Sequence, residues 1–168
     1  PIIAIGDPKL FHDRSVLLNK KLKINKINSL DNSLINEPNC INVIKVITCK
    51  KTEAGKLSKN NAEYVLENLK YGIKQAHDLK KVALVTGPLN KETLISIDPK
   101  FIGHTEYIQK ITNSNDVLMM LASNKLKVAL ATTHIPLKNV AKKITKDLII
   151  NKVKILDYDL RSKFNRSE

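Results

Sequence analysis

The sequence predicts an α/β layer structure, and three observations carry that prediction. Short apolar runs of strand length recur at Ile2–Ile5, Ile41–Cys49 and Val82–Thr86. Between the last two runs lies the best amphipathic stretch of the chain, about Lys59 to His77. No internal repeat and no Gly/Ser-rich linker interrupts the alternation. The 168 residues are enough for one domain with a real core. The expectation is a single partial α/β unit over 1–168.

Taken in order, Ile2–Ile5 reads as a buried strand ending at the turn Gly6-Asp7-Pro8. Lys9 to Ser33 is polar and poorly periodic. Val16, Leu17, Leu18, Leu22 and Ile24 support at most a short helix and a strand there. Ile41 to Cys49, rich in Ile and Val, reads as a strand, and Lys50 to Lys56 as a loop. Ser58 stands where an N-cap belongs, ahead of Ala62, Val65, Leu66, Leu69, Ile73 and Ala76 at steps of three and four. Val82 to Thr86 is a compact apolar strand that breaks at Gly87-Pro88, and Asn90 to Leu94 suggests a helix start. Val117–Ala122 and Lys127–Thr132 flank the turn-like Ser123-Asn124, as a hairpin would. Asp116 to Met120 is equally compatible with a helix. A short helix near Asn139 precedes a longer one from about Lys146, with Thr145 as N-cap and Ile149, Val153, Leu156 and Leu160 on one face. The last residues, Phe164 to Glu168, lead to no further element. The start at Pro1 rather than Met points to processing or to a piece of a longer chain.

Composition removes some function classes. No stretch is long and apolar enough to span a membrane, and the apolar start is too short for a signal peptide. The formal charge of +13 invites a nucleic-acid reading. Against it, the basic residues are nearly all Lys, with Arg14, Arg161 and Arg166 the exceptions, and aromatics are 4%. A solvated Lys-rich surface explains the charge, so neither nucleic acid nor membrane is expected as a partner. Cys40 and Cys49 lack metal or disulfide spacing and read as buried, reduced thiols of a cytoplasmic protein.

Three segments have the makings of a small-molecule site. In open α/β sheets, ligands gather beyond the carboxyl ends of strands. Val85-Thr86-Gly87-Pro88-Leu89-Asn90-Lys91 runs from a strand into a turn and a cation, which suits phosphate or carboxylate, or is a plain turn with a surface Lys. Gly103-His104-Thr105-Glu106-Tyr107 joins a His and a Thr able to donate to phosphate oxygens, or is a capped helix start. Ala131-Thr132-Thr133-His134-Ile135-Pro136-Leu137 holds a His on a rigid backbone after a strand, as a metal ligand or as a hydrogen-bonded structural His. His77, at a helix end, and His12 have no such setting.

Together these blocks resemble the 4-hydroxythreonine-4-phosphate dehydrogenase family of the vitamin B6 pathway. Gly6-Asp7-Pro8, Val85 to Lys91, Gly103 to Tyr107 and Val128 to Leu137 occur in the family's order, and Asp159 to Phe164 resembles its helix end. The resemblance implies a layered α/β/α fold like that of isocitrate and isopropylmalate dehydrogenases, incomplete in this chain. It implies oxidation, with decarboxylation, of 4-phosphooxy-L-threonine, a phosphorylated hydroxy amino acid. It also implies NAD or NADP as cofactor, one divalent metal (Zn, Mg or Co) per site, and a homodimer in the full-length form. By motif match, His104 and Thr105 contact the substrate and His134 is a metal ligand.

Two departures qualify what the chain can do alone. The family's Gly-rich continuation after Gly-Asp-Pro is replaced by Lys9-Leu10-Phe11-His12-Asp13-Arg14, and the segment between Gly6 and Gly55 is shortened. The chain is roughly half the family's length, so the other metal histidines and the Lys, Asn and Arg of the pocket would lie beyond Glu168. A fragment inactive alone is the expectation; a non-catalytic remnant that still binds a phosphorylated ligand is the alternative.

Overall fold

Three parallel strands organise the first part of the chain in this computed structural model, which describes residues 1–30, 34–79 and 81–164. Two units follow one another, Pro1–Thr112 and Asn113–Glu168.

In the first unit β1 (Ile3–Ile5), β2 (Lys23–Ile27) and β3 (Cys40–Ile44) pair in the order β1-β3-β2. Parallel strands need a crossover rather than a tight turn, and α1 (Pro8–Leu17) lies on the path from β1 to β2. Gly6-Asp7-Pro8 is therefore a helix entry as well as the end of a strand. Asp7 accepts from the Lys9 amide at 2.9 Å as N-cap, and Pro8 opens the helix where no N–H is needed. The helix starts well before the apolar residues Val16–Leu18 that suggested one. Those three are exposed, so hydrophobic periodicity could not have found it.

β3 is shorter than the Ile41–Cys49 run, because both neighbours end level with Ile44: Ile5 and Ile27 are each its register partner. Asn25 and Asn42 are also paired in register, and the Asn25 side-chain amide donates to Asn42 Oδ1 at 2.8 Å. Asn42 is buried, so this bond answers a polar group that would otherwise be costly.

Ser58 caps a 3-10 turn at Lys59–Asn61, accepting from the Asn60 amide, and not the long helix itself: α2 (Ala62–Asp78) begins behind Asn61, whose side chain makes no cap bond. The buried side of α2, Ala62, Leu66, Leu69 and Ile73, joins Leu94 of α3 (Lys91–Ile95), Phe101, and Tyr107 of α4 (His104–Thr112) in one core. Gly72 lets α2 press close to the sheet, since a Cβ there would lie 2.9 Å from Ile5 Cδ1 and 2.8 Å from Leu84 Cδ1.

The expected strand at Val82–Thr86 is not one: the segment joins no ladder among the described residues. Val82 and Leu84 are half-buried while Ala83 and Val85 are exposed, the alternation of a strand. Its apolar side is satisfied by packing Leu84 against the core of α2, α3 and α4 rather than by pairing with β1.

The second unit begins with the expected hairpin: β4 (Met119–Ala122) and β5 (Lys127–Leu130) pair antiparallel, which resolves the helix alternative at Asp116–Met120. α5 (Leu137–Lys143) and α6 (Lys146–Phe164) follow, and Thr145 Oγ1 accepts from the Leu148 amide as the predicted N-cap. None of its described residues is buried. The reading of Phe164 to Glu168 extends past Phe164, the last described residue, and that of Lys9 to Ser33 includes 31–33; those parts lie outside the described residues. Among the described residues no helix is long and apolar enough to cross a membrane. Both cysteines are free and half-buried, more exposed than the buried thiols expected.

Candidate functional site

A cleft of about 550 Å³ lies in the first unit, between β1, the 81–87 segment and the side of α2, and His104 reaches its lining. Its walls are largely apolar, with Ile3, Ile5, Val65 and Leu84 among them. Thr86 and Gly87 of the Val85–Lys91 block share the cleft with His104.

His104 is the first residue of α4, and the Tyr107 amide bonds back to the Gly103 carbonyl at 3.0 Å. This start is held from below: Phe101 and Tyr107 are buried, with ring centroids 5.4 Å apart. His104 Nε2 is buried and has no hydrogen-bond partner among the described residues. A buried ring nitrogen without a partner costs on the order of 1–3 kcal/mol, so such atoms are usually answered by a ligand or water. Thr105 follows in the first turn, where side chain and amides favour an anion.

Lys91 is a residue that the sequence left open, either a cation suited to phosphate or carboxylate or a surface lysine on a plain turn. The phosphate-binding start that its segment suggested is taken up by the protein itself, since Asn90 Oδ1 accepts from the Thr93 amide and hydroxyl, both at 2.8 Å. The Lys91 side chain instead extends to the start of α4. Its Nζ lies 3.7 Å, and Glu106 Oε2 3.1 Å, from where a Cβ on Gly103 would stand. The structure thus joins the Val85–Lys91 and Gly103–Tyr107 blocks. The missing signal was spatial, because eleven intervening residues separate Lys91 from Gly103 in the chain.

The Gly6-Asp7-Pro8 block does structural work. Asp7 Oδ2 accepts from the Cys49 amide at 2.9 Å, and the Asp7 amide donates to Tyr64 Oη at 2.8 Å. Burial pushes the Asp7 pKa up, but the amides of Cys49 and Lys9 and the charges of Lys45 and Lys9 outweigh it and hold the carboxyl below its ordinary value.

His134 belongs to the second unit. It is exposed, after β5, with a left-handed backbone at φ 57°, uncommon for a residue other than glycine. Among the described residues no group of three or more His, Cys, Asp or Glu could hold a metal ion. A metal site needs about three protein ligands, so these residues do not fit a self-contained one. Nor do they build a glycine-rich cradle for a dinucleotide, because the chain's five glycines stand well apart.

A parallel sheet and helices, with a His-Thr helix start reaching the cleft that β1 lines, define a mixed α/β protein. Across residues 1–168 the chain matches the model of one family, described as pyridoxal phosphate biosynthetic protein PdxA, and it belongs to that family. A curated relative from Saccharophagus degradans, named 4-hydroxythreonine-4-phosphate dehydrogenase, is 37% identical over 168 residues, covering 100% of this chain and 50% of the relative. One of the same name from Erwinia tasmaniensis is 34% identical over 167 residues, covering 99% and 51%. A crystal structure of a 4-hydroxythreonine-4-phosphate dehydrogenase from Burkholderia phymatum is similar with a TM-score of 0.78 at 29% identity, covering 90% of this chain and 46% of that one. The chain spans about half the length of the curated relatives it matches.

Proposed function

We propose that this chain supplies part of an NAD(P)-dependent, metal-assisted 4-hydroxythreonine-4-phosphate dehydrogenase of pyridoxal 5'-phosphate biosynthesis. The substrate is 4-phosphooxy-L-threonine. Its secondary alcohol is oxidised by hydride transfer to NAD(P)+ with loss of a proton, and the resulting keto acid loses carbon dioxide. The family membership and the relatives' names support the reaction.

The observation that carries the site is the buried His104 Nε2 at the start of α4, without a partner among the described residues. A substrate oxygen there would satisfy it, while the Thr105 hydroxyl and the first-turn amides hold the phosphate. In this reading His134 is the one metal ligand the chain contributes, and the remaining ligands come from residues it does not supply. The complete enzyme is a cytoplasmic homodimer. Residues 1–168 alone therefore bind the phosphorylated substrate and do not turn it over.

Titration of 15N-labelled protein with 4-phosphooxy-L-threonine tests the site. Saturable shifts centred on residues 103–106 are expected, with affinity about tenfold weaker or worse in His104→Ala. Shifts elsewhere, or none, would remove the assignment. Appearance of reduced nicotinamide with residues 1–168, substrate, NAD(P)+ and divalent metal would refute inactivity.

A second reading, a phosphate-binding remnant without redox chemistry, is favoured by the N-terminus. There α1 begins at Pro8, where the family carries a Gly-rich stretch. Co-expression with the C-terminal half of a relative separates the two: restored turnover supports the enzyme, and binding without turnover supports the remnant.

A further inference from the structure

We propose that Lys91 is a further phosphate-binding residue of the His104–Thr105 site, an inference that rests on the reading above and extends it to a residue outside the Gly103–Tyr107 motif. Three observations converge on it. Lys91 opens α3, and Leu94, one turn on, is 1% exposed in the core that also holds Phe101 and Tyr107, so the starts of α3 and α4 are anchored to the same packed residues. Its terminal atoms reach α4: Nζ and Cε lie 3.7 and 3.8 Å from where a Gly103 Cβ would be. Gly103 is buried and has no side chain, which leaves that space to the lysine.

The ammonium group also remains available. Among the described residues Lys91 forms no ion pair of 4.0 Å or less, although Glu106 Oε2 flanks the same glycine. A phosphate dianion at the first turn of α4 would meet the Thr105 hydroxyl, the helix amides and this cation together, and charge-assisted bonds are the stronger kind. Glu106 opposes the anion and sets a requirement for a matching positive charge, which Lys91 meets.

The test is titration of the chain with inorganic phosphate and with 4-phosphooxy-L-threonine, comparing wild type, Lys91→Met, Lys91→Arg and His104→Ala. Lys91→Met is expected to weaken both ligands about tenfold and to flatten the dependence of affinity on ionic strength. Lys91→Arg should restore most of the loss, and the thermal midpoints should match wild type. A purely structural Lys91 would leave the salt dependence unchanged, and that result overturns the assignment. Wild-type affinity in Lys91→Met alongside weakened His104→Ala removes Lys91 while the proposed function stands. Failure of wild type to bind either ligand removes both.

Discussion

At the scale of single residues, small groups at crowded places decide most. Gly6 is buried, and a Cβ there would lie 2.8 Å from Tyr64 Oη and 2.9 Å from Phe11 Cε2. Gly6→Ala must displace a ring edge and the hydroxyl that accepts from the Asp7 amide. A loss of about 1–3 kcal/mol is expected from overpacking, read as a lower urea midpoint at unchanged slope. Asp7 has a pH signature. Its folded pKa is depressed, so its contribution is present above its unfolded value and is lost as pH falls through the folded one. Asp7→Ala should lower stability near neutrality by about 1–2 kcal/mol, through the lost N-cap. The difference from wild type should narrow as the solution becomes acid; a constant difference across that window would show that the charge contributes nothing.

At the scale of elements, polar contacts set how strands and helices meet. Asn25→Ala removes the donor to Asn42 Oδ1 and leaves that buried acceptor on the β2–β3 pair unanswered. The expected cost is about 1–3 kcal/mol, measured by chemical denaturation. In the second unit, Lys152 of α6 donates to Asp116 Oδ1 at 2.7 Å and to the Val117 carbonyl at 2.6 Å, with 14% of its side chain exposed. The bond to Lys152 holds the Asp116 pKa down. Asp116 is partly solvated, so the charge pair is screened and about 1 kcal/mol is expected for Lys152→Met. A rise of the Asp116 pKa toward its ordinary value in that variant would confirm the contact.

At the scale of the whole molecule, burial is uneven. The buried apolar residues belong to the first unit, and no described residue of the second is buried. Protection against hydrogen exchange follows burial and local contact. Amides of β3 and α2 should therefore exchange far more slowly than those of β4, β5, α5 and α6. Equal protection in both units would contradict this.

Much of the architecture was legible in the chain because it rests on local patterning. The α2 face repeats at steps of three and four, Ser58 and Thr145 cap through their own hydroxyls, and the β4–β5 hairpin closes around a short turn. The motif blocks were equally local, and they pointed to the family that the comparisons show. Tertiary structure decided what depends on partners distant in sequence. β3 stops at Ile44 because its neighbours stop there, and Val82–Thr86 stays outside the sheet although its composition is that of a strand. Lys91 and Gly103 become neighbours only because α3 and α4 share one core. Side-chain pattern selects an element, but pairing and proximity are settled by what the rest of the chain places beside it.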